Sequence, residues 1–219
     1  MTWNSADVAE YLRAYLPRAL VQSIGQALVA GATRGYAAAK HMQEGHQANV
    51  LGTMRHFHMN EAFSDALQLM QVKATPLQGN NLVIGENGPV RLGRFNLSQG
   101  VWNNARRSKS RRVMAMANAS VEANIYGDLF GQPPEVTAMS VFFVAVFSGS
   151  RHVSPEAPVS LEIAVPAQDM KSWLFRENLT HFIDGYTVIE DNNEQIDLAV
   201  PRLRIVLSDK KNNDDDTAV

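Results

Sequence analysis

The sequence predicts an α+β fold: N-terminal helices followed by a largely antiparallel sheet of about six strands in hairpins, with covering helices. Three observations carry that expectation. Apolar residues recur at spacings of three and four through roughly the first seventy positions. The period changes to two after Pro76. Beyond that point strand-sized runs come in adjacent pairs with short or medium connections, which favours antiparallel over parallel pairing.

Asn4 and Ser5 offer an N-cap to a first helix whose apolar positions are Val8, Tyr11, Leu12, Tyr15 and Leu16. Pro17 stops it and suits the first turn of a second helix that continues through Leu20, Ile24 and Leu28 toward Met42. Gly45 is the expected stop, and a third helix is expected from about His46 to Met70, with a candidate restart at Asn60. Small residues Gly25, Ala30, Gly31, Gly35 and Ala38 in the second helix predict close approach to a neighbour. Gln22, Ser23, Gln26, Thr33 and Arg34 argue against reading that helix as a membrane span.

Leu82–Ile84 and Val90–Leu97 read as two strands joined at Glu86-Asn87-Gly88, because Asn-Gly supplies the positive φ angles of a tight hairpin. Ser110 is the expected N-cap of the next helix, with Val113, Met114, Ala117, Val121 and Ile125 as its apolar seam and Gly127 near its end. Met139–Phe147 is almost wholly apolar and predicts a central strand buried on both faces. Val159, Leu161, Ile163 and Val165 alternate with Ser160, Glu162 and Ala164, the pattern of a strand with one wet face. Helical spacing is then expected from Gln168 to Ile183, followed by a last hairpin from Thr187 to Leu207 with a bulge at Pro201. Residues 1–208 therefore read as a single α+β domain, helical over 1–72 and sheet over 80–207. Residues 209–219 read as a disordered acidic tail.

The chain has 219 residues, 45% apolar and 19% charged, enough to bury a substantial core. It lacks cysteine, which excludes a disulfide framework and thiolate metal sites, and its N-terminus does not resemble a signal peptide. A cytoplasmic location without membrane attachment is the expectation.

Charge is unevenly distributed. Asn87 through Val121 contains no Asp or Glu, yet it carries Arg91, Arg94, Arg106, Arg107, Lys109, Arg111 and Arg112. These are seven of the 20 Lys and Arg, leaving 13 bases against 22 acids elsewhere. With Trp102 as a candidate stacking platform, the segment predicts polyanion binding, because guanidinium and ammonium groups neutralise phosphates and aromatic rings stack on bases. The function expected is a non-enzymatic regulatory or interaction protein contacting nucleic acid or another polyanion. Two alternatives use the same cations. One is a metal-dependent enzyme acting on a phosphodiester, for which Asp128, Glu162, Glu190 and Asp197 are the candidate carboxylates. The other is a subunit that binds an acidic partner chain.

Other chemistry is weakly signalled. His41, His46, His56 and His58 cluster in sequence, but a His-x-His pair on a helix turns its rings roughly 200° apart, so no metal site is expected. The strand Leu161-Glu162-Ile163-Ala164 has alanine where a nuclease of the restriction-enzyme type carries lysine. The chain also lacks a Gly-x-Ser-x-Gly elbow, a phosphate-cradling Gly-rich loop, a His-Glu-x-x-His motif and a dinucleotide fingerprint. No cofactor is expected.

Overall fold

The computed structural model describes residues 2–99, 105–127, 134–148 and 155–186. Helix α1 (Ser5–Tyr15) starts on a capping box: the Asn4 side chain accepts from the amides of Ala6 and Asp7, and the Asp7 carboxylate accepts from Asn4 N–H. Helix α2 (Arg18–Ala39) begins after Pro17, whose missing amide hydrogen is one that a helix start leaves unpaired anyway. Helix α3 (Glu44–Leu69) runs without interruption through Asn60 and contains Gly45, which is not a stop. The chain turns back earlier, over residues 40–43.

Helices α2 and α3 pack antiparallel at very short range. A Cβ built on Gly31 would lie 2.7 Å from the His58 carbonyl oxygen and Met59 Cα, and one on Gly35 would lie 2.7 Å from Arg55 Cα. The small-residue stripe expected from the sequence is thus a helix–helix contact. No helix among the described residues is long and apolar enough to cross a membrane.

The six-stranded sheet has the order β1 (Lys73–Ala74), β2 (Gly85–Asn87), β3 (Val90–Ser98), β4 (Met139–Phe147), β5 (Ser160–Pro166), β6 (Trp173–Asn178). Neighbours are antiparallel except β3 and β4, which run parallel in register from Val90 opposite Met139 to Ser98 opposite Phe147. The sheet is largely antiparallel, as expected, but the parallel pair departs from the reading of adjacent hairpins. Its reason lies in the crossover, which carries helices α4 (Lys109–Ala115) and α5 (Ala119–Tyr126), joined by a 3-10 turn at Met116–Asn118. Parallel strands require such a long excursion.

Strand β4 is buried along its whole length, with alternate residues feeding two cores. Val141, Phe143, Ala145 and Phe147 pack with α1, α2 and α3, together with Val90, Leu92, Ile163 and Val165. Phe142, Val144 and Val146 pack on the other face with Phe95, Leu97, Met114, Ala115, Ala164 and Met170. Both faces are covered, as the apolar run predicts.

Several local expectations are corrected. In the first hairpin the paired arm is Gly85–Asn87, not Leu82–Ile84, because Asn87 pairs with Val90 across Gly88-Pro89. Leu82 and Ile84 instead pack partly buried against the second core. Strand β5 is not wet along one face, since Ala164 and Pro166 are buried where the sheet is covered. The helix expected over Gln168 to Ile183 is replaced by a tight turn, strand β6 and the short helix α6 (Leu179–Asp184). Met170 takes φ of +55, which ends any helix there, and the chain folds back to place Arg176 opposite Ala164 and Asn178 opposite Glu162. The hairpin expected at Thr187 to Leu207 and the tail at 209–219 lie outside the described residues.

Candidate functional site

Helix α4 begins two residues earlier than expected, with Ser108 rather than Ser110 as N-cap, and the Ser108 hydroxyl accepts from Arg111 N–H. It follows a 3-10 turn at Ala105–Arg107. The buried seam is not the expected one, because α4 docks on the sheet through Met114 and Ala115. Met114, Ala115, Asn118 and Val121 are buried, whereas Val113 is 58% exposed and Met116 64% exposed. The buried side of α4 lies on the second face of the sheet, so Arg106, Arg107, Lys109 and Arg112 are turned to solvent.

Asn118 fixes this crossover to the sheet. It is fully buried, its Nδ2 donates to the carbonyls of Ser140 (3.0 Å) and Pro166 (2.8 Å), and its Oδ1 accepts from Ser140 N–H (2.6 Å). One side chain therefore ties the α4–α5 crossover to β4 and β5. Glu122 adds a second tie by accepting from Gln168 N–H at the β5–β6 turn (3.0 Å).

Between α4 and that turn lies an open groove of about 640 Å³, lined by Arg106, Arg107, Lys109, Arg112 and Lys171, with Asp169 as its one carboxylate among the described residues; Val113, Met116 and Gln168 also line it. Asp169 is already engaged. It accepts from Lys171 N–H (2.7 Å) and pairs with Lys171 Nζ (3.2 Å), and these contacts, with Arg106 nearby, hold its carboxyl below the usual range. Arg106, Arg107, Lys109 and Arg112 form no ion pair with any described carboxylate. The groove is a concentrated positive surface with apolar patches between its charges.

The structure separates the remaining sequence-predicted cations from this groove. Arg91 is exposed on β3 opposite Glu86, and Glu86 pairs with Lys73 (3.6 Å). Arg94 is only 2% exposed, on the strand face that also carries Val90 and Leu92. Arg111 points away from the groove and is half-buried, with its guanidinium 5.0 Å from the centre of the Phe95 ring. Trp102 lies outside the described residues. Lys171 is invisible as a site residue in the sequence, because only the β5–β6 turn brings it beside α4.

Burial depresses the Arg94 guanidinium to about 9, with the Arg111 charge adding to the effect. Burial also lowers Arg111, and His56 is lowered by burial and by the neighbouring Arg94 and Arg111 charges. Arg55, the residue before His56, is lowered by burial as well; it donates to the Pro155 carbonyl, and its guanidinium lies 4.1 Å from the centre of the Phe147 ring.

Of the four carboxylates considered for metal-assisted chemistry, Asp128, Glu190 and Asp197 lie outside the described residues. Glu162 is held in a two-bond pair with Arg176, Nε to Oε2 at 2.6 Å and Nη2 to Oε1 at 3.0 Å. Among the described residues no group of three or more His, Asp and Glu side chains is placed to hold a metal ion. No family model, curated protein or solved structure matches the chain. The functional reading therefore rests on the geometry and electrostatics of its own residues.

Proposed function

We propose that this chain is an interaction protein that holds the phosphate backbone of nucleic acid in the groove between α4 and the β5–β6 turn. The observation that carries the reading is the set Arg106, Arg107, Lys109 and Arg112, four cations facing one groove without an ion-pair partner among the described carboxylates. Unpaired guanidinium and ammonium groups are matched in charge and donor geometry to phosphate oxygens. Contacts of this kind set position and affinity without reading sequence.

The test is a salt titration by fluorescence anisotropy on a labelled duplex, comparing wild type with Arg107→Ala/Arg112→Ala. Both side chains are exposed or nearly so, and the fold should survive the change. Wild type should bind at low ionic strength, and the double variant should lower the slope of log affinity against log salt by about 1.8, or 0.9 for each phosphate that is no longer neutralised. Absence of binding to DNA and RNA at low salt overturns the nucleic-acid reading. Capture of an acidic protein in its place, insensitive to nuclease treatment, would assign the groove to a protein partner.

A further inference from the structure

We propose that the groove takes single-stranded rather than duplex nucleic acid, its cations holding phosphates while Val113 and Met116 carry unstacked bases. The inference rests on the nucleic-acid reading above and names the form of nucleic acid that fits. Lys109, Arg112, Val113 and Met116 stand at positions i, i+3, i+4 and i+7 from the start of α4 into the 3-10 turn, which sets them along one side of the helix. All four line the groove. Val113 is 58% exposed and Met116 64% exposed, so two large apolar side chains adjoin each other in water beside two cations. Apolar side chains scattered singly over a surface are ordinary, whereas this pair lies in the concave wall that also presents the charges.

In a duplex the bases are paired and stacked, so a protein meets phosphates, sugars and base edges but no base faces. Against such a ligand Val113 and Met116 would find nothing to cover them. A single strand can splay its bases out, and proteins that bind it combine a positive track for the backbone with surfaces that receive base faces. Met116 suits the second task, because a thioether is polarizable and makes favourable contacts with aromatic rings. Across the groove the exposed Gln168 side chain offers an amide donor and an amide acceptor to a base edge. Size agrees with this choice. A volume of about 640 Å³ falls among those of pockets that enclose a drug-sized ligand, room for a short run of flexible strand but not for the body of a duplex. An anionic bilayer also joins phosphates to apolar groups, but a concave wall favours a narrow ligand that can enter it.

The probes are a labelled oligothymidylate, an abasic strand with the same number of phosphates, and a duplex of the same length, each titrated with the full chain by fluorescence anisotropy over a range of salt. Oligothymidylate should bind about two- to tenfold more tightly than the abasic strand, the gain of one sulfur–ring contact. It should also outlast the duplex as salt rises, because salt weakens phosphate contacts and leaves base contacts in place. Met116→Ser should remove most of the preference for oligothymidylate over the abasic strand, whereas Arg107→Ala/Arg112→Ala should weaken both strands alike. Should Met116→Ser fail to fold, Val113→Ser must show the same loss of preference. An oligouridylate beside the oligothymidylate assigns the strand to RNA or DNA by the tighter of the two, and equal affinity means that the groove does not read the sugar. Equal affinity for oligothymidylate and the abasic strand, or a preference that survives both serine variants in folded protein, overturns this inference and leaves the backbone reading standing. Absence of binding to every strand at low salt overturns that reading as well. Vesicles of phosphatidylserine and phosphatidylcholine complete the test: capture that Met116→Ser abolishes, with no preference between the two strands, gives the apolar pair to a lipid surface and overturns the inference.

Discussion

At the scale of single residues, the polar groups that matter most are buried ones. Asn118 satisfies one amide and two carbonyls where the crossover meets the sheet. Replacing it with Leu keeps the volume but strips those three groups, so Asn118→Leu should cost about 3 kcal/mol or more, at about 1–3 kcal/mol for each buried group left unpaired. Chemical denaturation checks this, and a change below about 1 kcal/mol would mean that water replaces the amide. His56 gives a pH signature. Its pKa is lowered in the folded chain from the ordinary value of 6.5, so below neutrality the unfolded chain binds the extra proton. Its contribution is present above pH 6.5 and is lost as pH falls from there toward the folded value. At constant ionic strength the stability of wild type should therefore decline on this acid side, and His56→Asn should flatten the decline. An unchanged slope in the variant would show that His56 titrates freely.

At the scale of elements, the α2–α3 contact makes opposite predictions for two glycines. In an open helix Gly→Ala gains about 1 kcal/mol of helix propensity. Gly52 has no atom within 4 Å of a built Cβ, so Gly52→Ala should raise the melting temperature. At Gly35 the added carbon meets the Arg55 backbone at 2.7 Å, and overpacking of about 1–3 kcal/mol should outweigh the propensity gain. A stabilising Gly35→Ala would mean that the helices can part at no cost. Strand β4 was legible because a run buried on both faces has no other soluble explanation, and Phe143→Ala should cost about 3–5 kcal/mol by transfer and cavity terms. Strand β6 was not legible. Met170, Trp173, Leu174, Leu179 and Phe182 satisfy helical spacing, yet Met170 and Trp173 feed the second core while Leu174, Leu179 and Phe182 feed the first. Periodicity cannot see that division, nor the positive φ at Met170 that creates it. The basic segment was legible as a charge anomaly, but its sorting was only half visible. Arg94 shares the strand phase of Val90 and Leu92, a signal of burial already present in the alternation, whereas the inward turn of Arg111 follows from the docking of α4 through Met114 and Ala115, one turn further on.

At the scale of the whole molecule, a formal net charge of −2 predicts weak repulsion from nucleic acid. The Debye length of about 10 Å at 0.1 M salt makes the local groove decide instead. The slope of a salt titration counts phosphates contacted, whereas charge elsewhere on the chain mainly moves the affinity at low salt. Residues 209–219 provide a clean separation of the two, since truncation after Ser208 removes four acids and two bases and moves the net charge from −2 to zero. The removed segment has no large apolar side chain except Val219. Truncation should therefore leave the melting temperature nearly unchanged, raise duplex affinity at low salt and keep the slope of wild type. A fall of more than a few degrees, or a steeper slope once the tail is gone, would show that the Asp-rich tail itself sits on the arginines. In that outcome nucleic acid would have to displace the tail, and the groove's four cations, unpaired among the described residues, would be its counterpart.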